Sequence, residues 1–427
     1  MLNLQAYCVY TRVYIDFIMA NMTEIRELFP ALSRKVYGKE LVYFDNAATS
    51  QRSQAVIDRW NEISSYSNAN IHRAVHRLAD EATQAYEGAR DAVKEFLNAS
   101  AREEIIFTAG TTASINLVAY SYGEAFIKEG DEVIVTEAEH HSNIVPWQLM
   151  CERRGAVLKV LPVDDNGYLM IEKLEDLITP KTRILSVTHI SNVLGIINPI
   201  AEIIRICHSK GVHVLVDGAQ GIVHCKVDVQ ELDCDFYVFS GHKMYAATGT
   251  GVLYGKRELL DVMPPYMGGG EMVGTVSFAK TTYAPLPMKF EAGTQNFAST
   301  ATFKQAIDCV KLLNDNKLTQ NYDKIRDYLL DYFKSDERFT LYGVPRGTFE
   351  DKIALFSFTV KGVHHEDLAL ILDKMGIAVR SGQMCAEPLM DRFGVTGMLR
   401  ASLAPYNTME EAEYFVKCLN RAIDMLQ

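Results

Sequence analysis

The chain has 427 residues, 48% of them hydrophobic and 23% charged, and a formal net charge of −11. That length supports a sizeable core and more than one domain. The acidic balance argues against nucleic acid, whose phosphates call for a basic surface, and no apolar run is long enough to span a bilayer.

The opening stretch, MLNLQAYCVYTRVYIDFIMAN, is apolar but lacks a basic start and is interrupted by Arg12 and Asp16. That is the reverse of a secretory signal. Residues 1–21 read as an extra leader, either a misassigned start or a family-specific arm, and Met22 opens a more ordinary segment. From Glu104 to Gly255 strands and helices alternate. EIIFT (104–108) leads into a helix from Thr112, and EVIVT (132–136) is a second strand. AVLKVLP, RILSVTH, VHVLVD and DFYVFS follow, separated by helical segments such as Ile200–Lys210. Such apolar runs with helices between them predict buried, mostly parallel strands. The fold class is therefore α/β, a helix–sheet–helix sandwich.

The segment Pro264–Pro287 is rich in Gly and Pro and reads as a long functional or interfacial loop. Ala354–Val360 predicts a strand, HHEDLALILDKMG an amphipathic helix and Met409–Leu426 a last helix, together a smaller α+β domain. The expected division is 22–40 as a segment packing with the small domain, 41–300 as the large domain and 301–427 as the small one. Eight cysteines are scattered singly with no C-x-x-C pair. That gives no support to a zinc site or disulfide framework and suits a reducing, cytoplasmic compartment.

The densest chemistry lies in SGHKMYAATGTGVLYG (240–255). The strand DFYVFS delivers Ser240, His242 and Lys243 to its carboxyl end, where open α/β sheets bind ligands. A lysine there suits a Schiff base with the aldehyde of pyridoxal phosphate (PLP). Alone it is more often an ordinary surface lysine. VLVDGAQG (214–221) places Asp217 at another strand end, suited to a pyridinium nitrogen, with Gln220 in reach of the ring's phenolic oxygen. Asp-Gly is also a common turn, but a strand-end Asp paired with a strand-end Lys is much less so. In FTAGTTASINLVAY, Thr111 and Thr112 open a helix whose free amides favour phosphate, or simply cap it. Ser240 and His242 offer further phosphate contacts, and EAEHHSN (137–143) offers an aromatic ring to stack on the cofactor. In GIAVRSGQMCAEPLM, Arg380 and Cys385 flank a loop, a setting for a nucleophilic thiol as well as for a structural cysteine. Arg400, in LRASLAPYNT, suits a bidentate grip on a carboxylate, or is a surface arginine.

Together with YFDNAATS, SNVLG, GGGEM and FEAGTQN, these segments resemble, in order and from about Thr23 to the end, the cysteine desulfurases of the class V aminotransferase fold. The likeness is specifically to the type II group that serves the SUF system and includes selenocysteine lyase-like members. The resemblance implies PLP fold type I, a homodimer and conversion of L-cysteine to L-alanine for iron–sulfur cluster assembly. It implies that Lys243 carries PLP, that Asp217 and Gln220 hold the ring, and that His140 stacks on it and acts as acid or base. Thr112, Ser240 and His242 would bind phosphate, and Thr294 would reach the partner subunit's phosphate. Asn192 and Arg400 would bind the substrate carboxylate, with Arg380 near the loop. Cys385 would accept sulfur as a persulfide and pass it to an acceptor of the SufE or SufU type. Two departures stand out: Gln383 and Met384 replace the family's usual histidines, and Ala246-Ala247 its usual Gly-Pro. Selenocysteine lyase or cysteine sulfinate desulfinase activity would use the same pocket. A non-catalytic PLP-fold binding protein is the alternative of another class.

Overall fold

The computed structural model describes residues 22–314, 316–347 and 351–427. The expected leader, 1–21, lies outside them. Seven strands build the main sheet: β1 (Ile105–Thr108), β2 (Glu132–Thr136), β3 (Val157–Leu161), β4 (Thr182–Thr188), β5 (His213–Asp217), β6 (Phe236–Ser240) and β7 (Gly251–Gly255). Their order is β1-β7-β6-β5-β4-β2-β3. β7 runs antiparallel to both neighbours, and the other pairings are parallel.

Successive side chains alternate across a strand. Ile105, Phe107 and Ile134 enter one core, while Ile106, Val133 and Val135 enter the other. Helices Arg77–Leu97 and Phe303–Leu313 pack in the first core, Thr111–Phe126 and Val145–Arg154 in the second. The inner strands, buried on both faces, need apolar residues at nearly every position, which is why they read as continuous runs, whereas the edge strand β3 is largely exposed.

A second, antiparallel sheet joins β8 (Phe339–Tyr342), β9 (Leu355–Val360), β10 (Arg380–Gly382) and β11 (Met398–Ser402) in the order β8-β9-β11-β10. Helices Asn316–Ser335, His365–Lys374 and Met409–Leu426 share its core. The last helix starts at a capping box, with Thr408 and Glu411 satisfying each other's backbone amides. The segment from Met22 touches both bodies. Ile25, Phe29 and Leu32 join the first core, and Arg26 pairs with Glu411 at 2.8 Å.

Pro264–Pro287 is not wholly loop. Val273–Val276 pairs with Thr281–Tyr283 as an antiparallel hairpin. Both strands are largely exposed, so no buried face imposed the alternation by which a strand is read. The small sheet is fastened to the turn after β4: Ile353 N–H donates to Gly195 O at 3.0 Å and Ser357 Oγ to Val193 O. That turn carries Asn192.

Candidate active site

The carboxyl ends of β1, β2, β4, β5 and β6 open on one cavity of about 580 Å³. Thr112, His140, Asn192, Asp217, Gln220, Ser240, His242, Lys243, Arg380, Cys385 and Arg400 all line it. Residues more than 270 positions apart in chain numbering, Thr112 and Cys385, thus meet in one place.

Lys243 follows β6 on a short turn bolted to residues 49–50. Ser50 N–H donates to His242 O at 3.1 Å, and Tyr245 N–H donates to Ser50 Oγ at 2.8 Å. Burial holds the Lys243 ammonium below its ordinary value; Asp217 opposes that shift and Arg400 adds to it. Asp217 ends β5, 3% exposed, and burial raises its carboxyl while Lys243 and the Ala219 amide pull it down. Among the described residues only Ala219 N–H donates to that carboxylate, at 2.9 Å. A buried carboxylate with unused acceptor capacity facing a cavity calls for a cationic or N–H group there. Gln220 is anchored beside it, its Nε2 donating to Ala47 O at 2.7 Å.

The helix Thr111–Phe126 follows β1 through Gly110, whose φ of 149° is open to glycine and strained for other residues. Ser240 Oγ accepts from Thr111 N–H and pairs with Thr111 Oγ1, both at 2.8 Å. The next two amides, of Thr112 and Ala113, have no acceptor among the described residues. With the helix dipole behind them they suit a phosphate. A carboxylate for a pyridinium, a lysine for an aldehyde and amides for a phosphate therefore face one cavity, and the residues fit PLP.

His140 Nδ1 accepts from Ser142 N–H at 3.1 Å, which leaves the neutral ring's proton on Nε2. Burial, then the charge of Lys243, lowers this histidine to about 4, so it is neutral near pH 7. His242 is lowered to about 4 by burial and Lys243 as well. Thr294 is exposed and does not line the cavity of its own chain. Its segment is anchored by Glu291, which is buried and ion-paired to Arg90 at 2.7 Å.

The two arginines share a carboxylate that no local sequence pattern links to them. Asp45 accepts from Arg380 Nη2 at 2.7 Å and from Arg400 Nη2 at 3.2 Å. YFDNAATS marks that Asp in a motif, but its partners lie 335 and 355 residues away, and nothing local points to them. Arg400 is 2% exposed, its Nη1 donates to Asn192 O at 2.8 Å, and its Nε is buried without a partner. A buried guanidinium with a spare N–H beside Asn192 suits a carboxylate ligand. Cys385 is exposed at the cavity rim. It and Met384 both adopt left-handed backbone, with φ of 56° and 54°. Asn192 Nδ2 donates to Met384 O at 2.9 Å, so the expected carboxylate ligand also holds the cysteine loop.

The class-V aminotransferase family model matches residues 42–415. A probable cysteine desulfurase of Vibrio cholerae is 44% identical, over 96% of this chain and 100% of its own. The cysteine desulfurase of Cronobacter sakazakii is 46% identical over 94% and 98%. Among solved structures, the Escherichia coli cysteine desulfurase CsdA superposes with a TM-score of 0.86 at 40% identity, covering 96% of this chain and 100% of that one. The cysteine desulfurase of Thermococcus onnurineus superposes at 0.85, with 35% identity over 93% and 98%.

Proposed function

The chain belongs to the class V aminotransferase family and is a PLP-dependent cysteine desulfurase, and on that premise we propose that Lys243 carries the cofactor and Cys385 receives the sulfur. The observation that carries this assignment is that Lys243, Asp217 and the exposed Cys385 line one cavity. Asp217 would hold the ring nitrogen, Gln220 the phenolic oxygen, and Thr112, Ser240 and His242 the phosphate, with His140 against the ring face. When bound, PLP supplies a sink for the electron pair left as the substrate's Cα–H bond breaks.

The protein's own groups do the rest. Arg400 and Asn192 grip the carboxylate of L-cysteine. Lys243, its proton affinity lowered by burial, takes the Cα proton. Cys385 Sγ bonds to the substrate sulfur as that sulfur's bond to Cβ breaks, Cβ takes up a proton equivalent to the one the Cys385 thiol gave up, and Lys243 returns a proton to Cα. One persulfide and one alanine result. The sulfur is oxidised as the carbon is reduced, so no outside oxidant is needed.

The exposure of Cys385 suits hand-over to an acceptor of the SufE or SufU type, in SUF-type iron–sulfur cluster assembly. Thr294, exposed on its own chain, suits a homodimer in which it reaches the partner subunit's phosphate site. The seven described cysteines are all free, which fits a reducing, cytoplasmic setting. Among the described residues no helix is long and apolar enough to cross a membrane. The test is alanine release from L-cysteine with a reductant, parent against Cys385→Ser. Release by the parent alone supports the assignment; equal release by both overturns the role of Cys385.

A further inference from the structure

The loop Gln383–Ala386 joins β10 to the helix Glu387–Phe393. Two consecutive non-glycine residues in left-handed conformation, Met384 and Cys385, cost energy that surrounding contacts must offset. Those contacts come from the large domain. Asn192 takes the Met384 carbonyl. His141 takes two more groups on its own. Its backbone N–H donates to Cys385 O at 2.7 Å, and its ring Nε2 accepts from Glu387 N–H at 3.0 Å. Glu387 N–H is one of the first amides of its helix, which have no partner within the helix. One residue therefore grips the chain on both sides of Ala386, beginning at the cysteine itself.

Its neighbour in sequence, His140, lines the cavity in which the cofactor ring would sit. The two rings lie 6.2 Å apart between centroids. Adjacent residues thus fix the ring side and the thiol side of the site in a common register. The anchoring is rigid, because Glu139, just before them, is fully buried and accepts from Thr188 N–H at 2.8 Å and Asn143 Nδ2 at 2.7 Å.

From this geometry we infer that His141 is the positioning residue of the nucleophile loop, latching Cys385 in its strained conformation over the cavity. This rests on Cys385 being the sulfur acceptor. The latch needs an acceptor atom at the Nε2 position. Glutamine can supply one; leucine keeps the bulk without it. Without the ring acceptor the loop opens more often, its backbone amides are less protected and the thiol is less well placed for substrate.

The experiment uses PLP-loaded protein and follows deuterium uptake of the backbone amides of the peptide spanning Cys385 and Glu387, with alanine release in parallel. In His141→Leu those amides should exchange about tenfold faster as local opening grows easier, with kcat lowered, KM for cysteine little changed and the bound-PLP absorbance intact. His141→Gln should return both readouts toward the parent. His141→Asn, polar and too short to reach Glu387, replaces the leucine variant should that one not fold. Equal exchange rates in all variants would overturn the inference. So would a fall in activity and thermal stability together, with exchange at this peptide unmoved and no rescue by glutamine, which is how a merely structural residue behaves. Cys385→Ser judges the acceptor role separately: if it releases alanine like the parent, that role fails, whereas the exchange rates report on the latch alone.

Discussion

Asp45 is the sharpest place to perturb the site, because it is the carboxylate that both arginines share. Asp45→Asn keeps the shape and removes the charge. The Arg380 side chain is 48% exposed, so its half of the arrangement is worth about 0–1 kcal/mol. The Arg400 side chain is 2% exposed against 13% for Asp45. Stripping a buried charge of its partner typically costs about 3–5 kcal/mol. Arg400 Nε already lacks a partner, so the protein has little with which to compensate. The substitution should therefore lower stability by about 4 kcal/mol, with most of it assigned to Arg400. Urea unfolding at matched PLP occupancy measures the loss, and repeating it in an Arg400→Met background isolates the pair. In that background Asp45→Asn should cost no more than about 1 kcal/mol. A loss below about 1 kcal/mol in the parent background would refute the reasoning, since it would mean that Arg400 is not a desolvated cation held by Asp45.

Lys243→Ala should abolish the bound-cofactor absorbance in the visible and lower alanine release by at least about a hundredfold, the usual reach of a positioned proton-transfer group; spectra and product assay together check this. Gly251→Ala would put a Cβ 2.4 Å from Gly110 Cα, backbone that cannot yield cheaply. The resulting shift should cost about 1–3 kcal/mol and loosen the phosphate end of the cavity, read as weaker PLP affinity in titration. Burial raises the Glu139 carboxyl from 4.5 to about 8, so its contribution to stability is full below 4.5 and is lost as pH rises through about 8. Glu139→Gln should flatten the stability profile over that window, and unchanged profiles from denaturant melts at a series of pH values would contradict it.

Much of the fold was legible because a sheet buried on both faces leaves long apolar runs. EVIVT, RILSVTH and VHVLVD coincide with β2, β4 and β5 or nearly so. β7 lies within the lysine motif without a clear strand pattern: its glycines weaken the β signal, and its antiparallel direction is decided by pairing. The exposed hairpin within Pro264–Pro287 was missed for want of a buried face. At the site, Lys243 and Asp217 stand out in the sequence by residue type and position, and both line the cavity. Asp45 and His141 did not. Their contacts are with partners hundreds of residues away, Arg400 and Glu387, and no local pattern encodes such contacts. Thr111 stood beside Thr112 in the motif, and it is Thr111 that Ser240 engages.

The central assignment is that sulfur leaves L-cysteine for Cys385, and the mass of the Cys385 peptide tests it most directly. After brief exposure of PLP-loaded protein to L-cysteine without reductant, followed by alkylation, that peptide should carry one additional sulfur atom. The extra mass should vanish on reduction and be absent from Lys243→Ala. Sulfur appearing on another cysteine, or alanine accumulating while the Cys385 peptide stays unmodified, would contradict the account.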